Sequence, residues 1–108
     1  MLVRVIEVGI RPEKKQEFIT ILQHELVPLL HRQPAFVGHE VGVRENDASM
    51  AIASTYWENR QAADAFYATP AYNNIITRLK PWFTTELKPV FYTVEISTAH
   101  RIAFGKAA

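Results

Sequence analysis

The sequence predicts one α+β domain in which an antiparallel four-stranded sheet is crossed by two helical regions. Three observations carry that prediction. The chain has 108 residues, a length that supports one core and hides roughly two-thirds of the surface of the unfolded chain. Several short runs rich in Val and Ile alternate with period two and stop at Pro or turn residues, as strands do. Between them lie stretches whose apolar residues recur at three and four, as on one face of a helix.

Leu2 to Ile10 reads as the first strand, stopped by Arg11-Pro12 and apolar on both faces. From Glu13 to about Arg32, Phe18, Ile21, Leu22, Leu26 and Leu29 mark an amphipathic helix, and Pro12 suits its first turn. Pro28 removes a backbone hydrogen bond inside that pattern, so a kink or an early end is expected near Leu26. Gln33-Pro34-Ala35 breaks the chain, and Phe36 to Arg44 resumes a strand with Val37, His39, Val41 and Val43 on one face. After the turn residues Glu45-Asn46-Asp47, Ser49 to Trp57 is the third strand, forming a hairpin with the second. Asn59 is an N-cap signal for a helix holding Ala62, Ala63 and Phe66, and Thr69-Pro70 restarts one through Tyr72, Ile75, Ile76 and Leu79. Pro81 and Pro89 bracket an irregular connection before the last strand, Val90 to Ser97. The order strand, helix, strand, strand, helix, strand is the split βαβ arrangement of ferredoxin-like folds. Residues 1–98 make this domain, and 99–108 form a partly ordered tail.

Composition excludes several classes. Hydrophobic residues are 48% and charged residues 21%, ordinary globular usage. No apolar run approaches the ~20 residues of a membrane span, and the N-terminus lacks a signal peptide's cationic start, so a cytoplasmic protein is expected. The absence of cysteine removes disulfides, thiolate metal sites and cysteine nucleophiles. A net charge of +1, with its charges scattered, argues against nucleic acid as a partner. No glycine-rich phosphate loop, Ser/His/Asp signature, catalytic carboxylate pair or metal-ligand cluster stands out, and no metal is expected. Glu7 and Glu95 sit in strands, where Arg4 and Arg44 are the nearest charges for structural ion pairs.

The uncovered face of such a sheet is normally polar. Here Val3, Val5, Val37, Val41, Val43, Tyr92, Val94 and Ile96 offer more apolar strand surface than two helices cover. A patch of that size marks an interface, and sheet-to-sheet homodimerisation is the simplest way to bury it.

The strand Leu2 to Ile10, the segment QPAFVGHEV, the join TYWENRQAADAF with Trp57 ending a strand ahead of a helix, and the restart TPAYNN resemble the antibiotic biosynthesis monooxygenase family of dimeric α/β barrels over roughly residues 2–98. The resemblance implies a homodimer with face-to-face sheets and, in each protomer, a pocket between sheet and helices. It implies oxidation of a small aromatic, phenolic or quinol substrate by dioxygen with neither metal nor flavin, since a phenolate can itself reduce oxygen. The alternative is a non-catalytic dimeric barrel that binds a hydrophobic small molecule. A related haem-degrading branch needs an Asn on the first strand and a His on the second helix; this chain has no Asn from Leu2 to Ile10 and aligns Ile76 with that His.

His39 and Tyr72 are the candidate catalytic residues: His39 because its imidazole titrates near neutrality on an apolar strand face, Tyr72 because its hydroxyl could orient a phenol. The bland alternative for His39 is a satisfied interface histidine. Trp57, Phe66, Tyr67, Trp82 and Phe83 are candidate pocket walls, against the plainer reading that they are core. Asn73 and Arg78 could close a polar end of the pocket or lie on a solvated helix face. His24 and His31, seven apart on one helix, lack ligand spacing.

Overall fold

In the computed structural model, which describes residues 1–99, four antiparallel strands form one sheet in the order β2-β3-β1-β4. The strands are β1 (Leu2–Gly9), β2 (Phe36–Val43), β3 (Met50–Trp57) and β4 (Val90–Thr93). The helices are α1 (Lys15–Ile21), α2 (Val27–His31), α3 (Arg60–Tyr67) and α4 (Pro70–Leu79). This is the ferredoxin-like α+β arrangement that the order of elements predicts. No helix among the described residues is long and apolar enough to cross a membrane. The expected tail lies, from His100 onward, outside the described residues.

Cap chemistry explains the split second helical region. The Asn59 side chain accepts from the Ala62 N–H at 2.8 Å, and Thr69 Oγ1 accepts from the Tyr72 N–H at 3.3 Å. Each satisfies a donor that the first turn leaves without an intrahelical partner. Pro70 then occupies the first turn of α4, where its missing N–H breaks no bond.

The first helical region neither ends nor breaks at Leu26. A π turn over Leu22–Leu26 joins α1 to α2, with the Val27 N–H donating to the Leu22 carbonyl. Pro28 follows directly, in the first turn of α2, and its missing N–H is absorbed there. The turn also sets the buried face. Phe18, Leu22, Leu26 and Leu30 are buried at a spacing of four, which in a regular helix drifts by about 40° per step at 3.6 residues per turn. The locally underwound π turn takes up that drift, so Leu30, 1% exposed, is buried more deeply than Leu29.

Strand register decides which side chains meet. On the helix-covered face, Ile6 stands opposite Ala53 and Val8 opposite Ala51, while Val41 and Val43 pair with the same two alanines. Val41 and Val43 therefore pack against the core rather than on the uncovered face. That outer face carries Val3, Val5 and Glu7 of β1, Ile52 and Tyr56 of β3, and Val90 and Tyr92 of β4. Arg4 and Glu7 project to opposite faces, so the ion pair expected between them does not form; Arg44 pairs instead with Asp47 at 3.7 Å.

The connection after α4 docks on the end of β1. Ile10 bridges Phe83, the Thr84 N–H donates to the Gly9 carbonyl at 2.8 Å, and the Gly9 N–H donates to Thr85 Oγ1 at 2.8 Å. A Cβ on Gly9 would lie 2.2 Å from Thr84 Oγ1, so any larger residue would force the Thr84 side chain to shift.

Candidate functional site

One rung of the inner sheet face differs from its apolar neighbours. Arg4 pairs with Thr55, and Thr55 with His39, so three polar side chains stand side by side across β1, β3 and β2. Above them, between sheet and helices, lies a cavity of about 60 Å³. Its floor is this rung with Ile6, Val8 and Ala53; its roof is Phe18, Leu22, Leu26 and Leu30. Phe66, Tyr67, Tyr72, Ile76 and Leu79 of α3 and α4 form a side, and Phe83 and Leu87 of the docked connection close an end. Apart from Arg4, His39, Thr55 and the two tyrosines, the walls are apolar.

His39 is held by one ring nitrogen and open at the other. Nδ1 lies 2.8 Å from Thr55 Oγ1, whereas Nε2 is buried and has no hydrogen-bond partner among the described residues. Burial holds its pKa below the usual histidine value, with the neighbouring Glu40 carboxylate opposing that shift. The ring is thus neutral at pH 7. In the tautomer that donates from Nδ1 to Thr55, Nε2 carries a lone pair into apolar surroundings and can accept a proton.

Tyr72 is 7% exposed. Burial raises the pKa of its hydroxyl, with the Arg4 charge and a hydrogen bond from Arg4 pulling it down and Tyr67 adding to the rise. The phenol stays protonated through the neutral range and can act as a donor. Its ring meets Tyr67 edge-on at 4.8 Å and Phe66 at 5.4 Å. Edge-on packing of this kind fixes ring orientation as well as burying area.

Trp57 stands behind this cluster rather than on the cavity wall. It is 1% exposed, contacts the Phe36, Phe66 and Tyr67 rings, and donates its indole N–H to the Tyr67 hydroxyl at 3.1 Å. The remaining candidates divide. Phe66, Tyr67 and Phe83 line the cavity. Asn73 bonds the Thr69 carbonyl at 2.8 Å on the surface, Arg78 forms an exposed ion pair with Glu25, and Trp82 lies under Lys14 with Nζ 5.6 Å from its ring. These three do not line the cavity: the inward face of α4 is set by Tyr72, Ile76 and Leu79 rather than by Asn73 or Arg78, and Trp82 lies beyond α4 in the turn Lys80–Trp82.

Arg4 and Thr55 are cavity residues that sequence reasoning passed over. Period-two alternation alone places Arg4 on the face of Ile6 and Val8, where an arginine is out of pattern. Thr55 needs strand register to be seen as the partner of His39. Among the described residues no group of three or more His, Cys, Asp or Glu could hold a metal ion.

Comparison with known proteins bears on the fold and the family. A family model described as antibiotic biosynthesis monooxygenase matches residues 1–78. No curated protein sequence matches the chain significantly. Among solved structures, a putative antibiotic biosynthesis monooxygenase from Nitrosomonas europaea has a TM-score of 0.79 at 17% identity, covering 89% of this chain and 100% of the other. A putative antibiotic biosynthesis monooxygenase from Bacteroides thetaiotaomicron gives 0.77 at 16%, covering 94% and 95%. SnoaB, a cofactor-independent oxygenase from Streptomyces nogalater seen as its N63A mutant, gives 0.74 at 17%, covering 92% and 97%. At these identities the structural likeness speaks for the fold, and the matched family model for descent: the chain belongs to the antibiotic biosynthesis monooxygenase family.

Proposed function

We propose that this protein is a cofactor-independent monooxygenase acting on a small phenolic or quinol substrate. The observation that carries the proposal is the buried Nε2 of His39, without a hydrogen-bond partner among the described residues, in a cavity with mostly apolar walls. His39 takes the phenol proton, and Tyr72 donates to and orients the substrate oxygen. The phenolate gives one electron to dioxygen, the resulting radicals join at a ring carbon as a peroxide, and loss of water leaves a carbonyl. A phenol and O₂ thus yield a quinone and water, the ring supplying the electrons. The apolar walls exclude bulk water from the intermediates.

Cavity size restricts the substrate. A cavity of about 150 Å³ holds benzene, so the present 60 Å³ admits a single ring only when its walls part. A compact monocyclic or narrow bicyclic substrate suits the site better than an extended polycycle. Almost wholly apolar walls also suit a module that binds a hydrophobic small molecule without turnover. Oxygen uptake by metal-free, flavin-free protein with a panel of phenols and hydroquinones separates the two. Uptake above autoxidation that falls in His39→Gln and Tyr72→Phe is expected of the enzyme. Binding without uptake across the panel would favour the module.

The functional unit in this reading is a homodimer joined through the outer sheet face. Ile52, Val90 and Tyr92 are 42%, 48% and 56% exposed there, beside Val3 and Val5. Large apolar side chains gathered on one exposed sheet surface support burial against a second copy.

A further inference from the structure

Arg4 stands out among the cavity residues because it brings a fixed positive charge into an apolar enclosure. Its guanidinium carbon lies 3.7 Å above the Tyr67 ring centroid and 5.9 Å from that of Tyr72. Among the described residues no carboxylate pairs with it; the ion pairs found are Lys14 with Glu17, Arg44 with Asp47, Arg60 with Asp64 and Arg78 with Glu25. The acids nearest in the strands, Glu7 and Glu40, project from the opposite face of the sheet. The groups beside Arg4 within the cavity are Thr55, His39, Tyr67 and Tyr72, and none of them is a carboxylate.

A part-buried charge is normally paired. Stacking on Tyr67 and a hydrogen bond to the Tyr72 hydroxyl offset some of that demand, but the stack engages only the flat face of the guanidinium, and the Tyr72 hydroxyl brings no formal negative charge. The N–H groups lie in the guanidinium plane and form a fork matched to two oxygens or to one strongly charged oxygen. A fork held on an aromatic shelf at the polar rung of an apolar cavity is complementary to an aromatic ring bearing an oxyanion.

We infer that Arg4 is the substrate-binding residue that selects for an oxyanion on an aromatic ring, a phenolate or a ring carboxylate. The inference rests on the cavity being the substrate site of the proposed function. It adds a division of labour to that reading: His39 removes the phenol proton and Arg4 holds the charge left behind. For a hydroxylated aromatic acid, Arg4 would grip the carboxylate and fix which ring edge faces His39.

The test measures binding and needs no turnover. 4-Nitrophenol is titrated against its neutral isostere 4-nitroanisole, and benzoate against benzamide, with wild type, Arg4→Gln and Arg4→Lys. The absorbance of bound 4-nitrophenol reports its ionisation. Expected are at least tenfold tighter binding of one anion than of its isostere, a fall of about tenfold or more in Arg4→Gln, and partial retention in Arg4→Lys, which keeps the charge but loses the fork. If the nitrophenol pair shows the preference, with its pKa lowered on binding, the selected oxyanion is the phenolate; if only the benzoate pair shows it, the carboxylate. Equal binding of anion and isostere by wild type, or no anion binding at millimolar concentration, would overturn the inference even if Arg4→Gln failed to fold. Arg4-dependent anion binding without oxygen uptake would leave the inference standing and remove the monooxygenase reading. Uptake with unchanged anion binding in Arg4→Gln would do the reverse.

Discussion

Replacing Trp57 by Phe tests whether the core behind the cavity is organised by the indole. The substitution removes the N–H that donates to the Tyr67 hydroxyl at 3.1 Å and trims a side chain only 1% exposed. The lost hydrogen bond is worth about 1 kcal/mol net. A void of about 40 Å³ at ~24 cal/mol per Å³ adds about 1 kcal/mol. Lost burial of ring surface adds roughly 1 more. The expected destabilisation is therefore about 3 kcal/mol, a large part of the ~5–15 kcal/mol that holds a typical domain folded. The assay is urea unfolding followed by circular dichroism at one fixed protein concentration, because dimerisation would make the midpoint concentration-dependent. Tyr67→Phe and the double variant complete a cycle in which a coupling of about 1 kcal/mol is expected. A loss below about 1 kcal/mol, or strict additivity of the two substitutions, would refute the claim that Trp57 anchors Tyr67.

His39, held neutral by burial, should make stability fall as pH drops below the ordinary histidine value of 6.5, since the unfolded chain takes up a proton that the folded ring resists. In His39→Gln that acid limb should flatten, which urea midpoints compared at about pH 7.5 and about pH 5.5 would show; an unchanged limb would place the titration elsewhere. Asn59→Ala should lower stability by about 1 kcal/mol through loss of the α3 cap, whereas Arg78→Ala, breaking an exposed ion pair, should leave the midpoint within error. Val5→Lys on the outer sheet face should convert a dimer to monomer in sedimentation, and a wild-type protein that sediments as a stable folded monomer at low micromolar concentration would contradict the proposed interface.

Local rules reach a definite distance in this chain. The strand runs, the caps at Asn59 and Thr69 and the order of elements depend on neighbours a few residues away, and such short-range preferences are written into the sequence. Pro28 was legible as a disturbance but not as a π turn, because the choice between kink, stop and widened turn is made by packing. Burying Phe18, Leu22, Leu26 and Leu30 on one face against the sheet favours the widened turn. Of the aromatic residues singled out as site candidates, Phe66, Tyr67, Tyr72 and Phe83 reach the cavity while Trp57 and Trp82 do not.

The sequence by itself determined the α+β order, the helix caps and the placement of His39 on the strand face shared by Val41 and Val43. Only the tertiary structure decided that this face turns toward the helices, that Thr55 holds Nδ1 of His39, and that Arg4 meets Tyr67 across the sheet and α3. The same holds for the closure of the cavity by Phe83 and Leu87, whose connection docks on Gly9 from more than seventy residues away. Periodicity tells which residues share a face but not what that face meets. The partner is fixed by strand register and helix packing, which are long-range and cooperative.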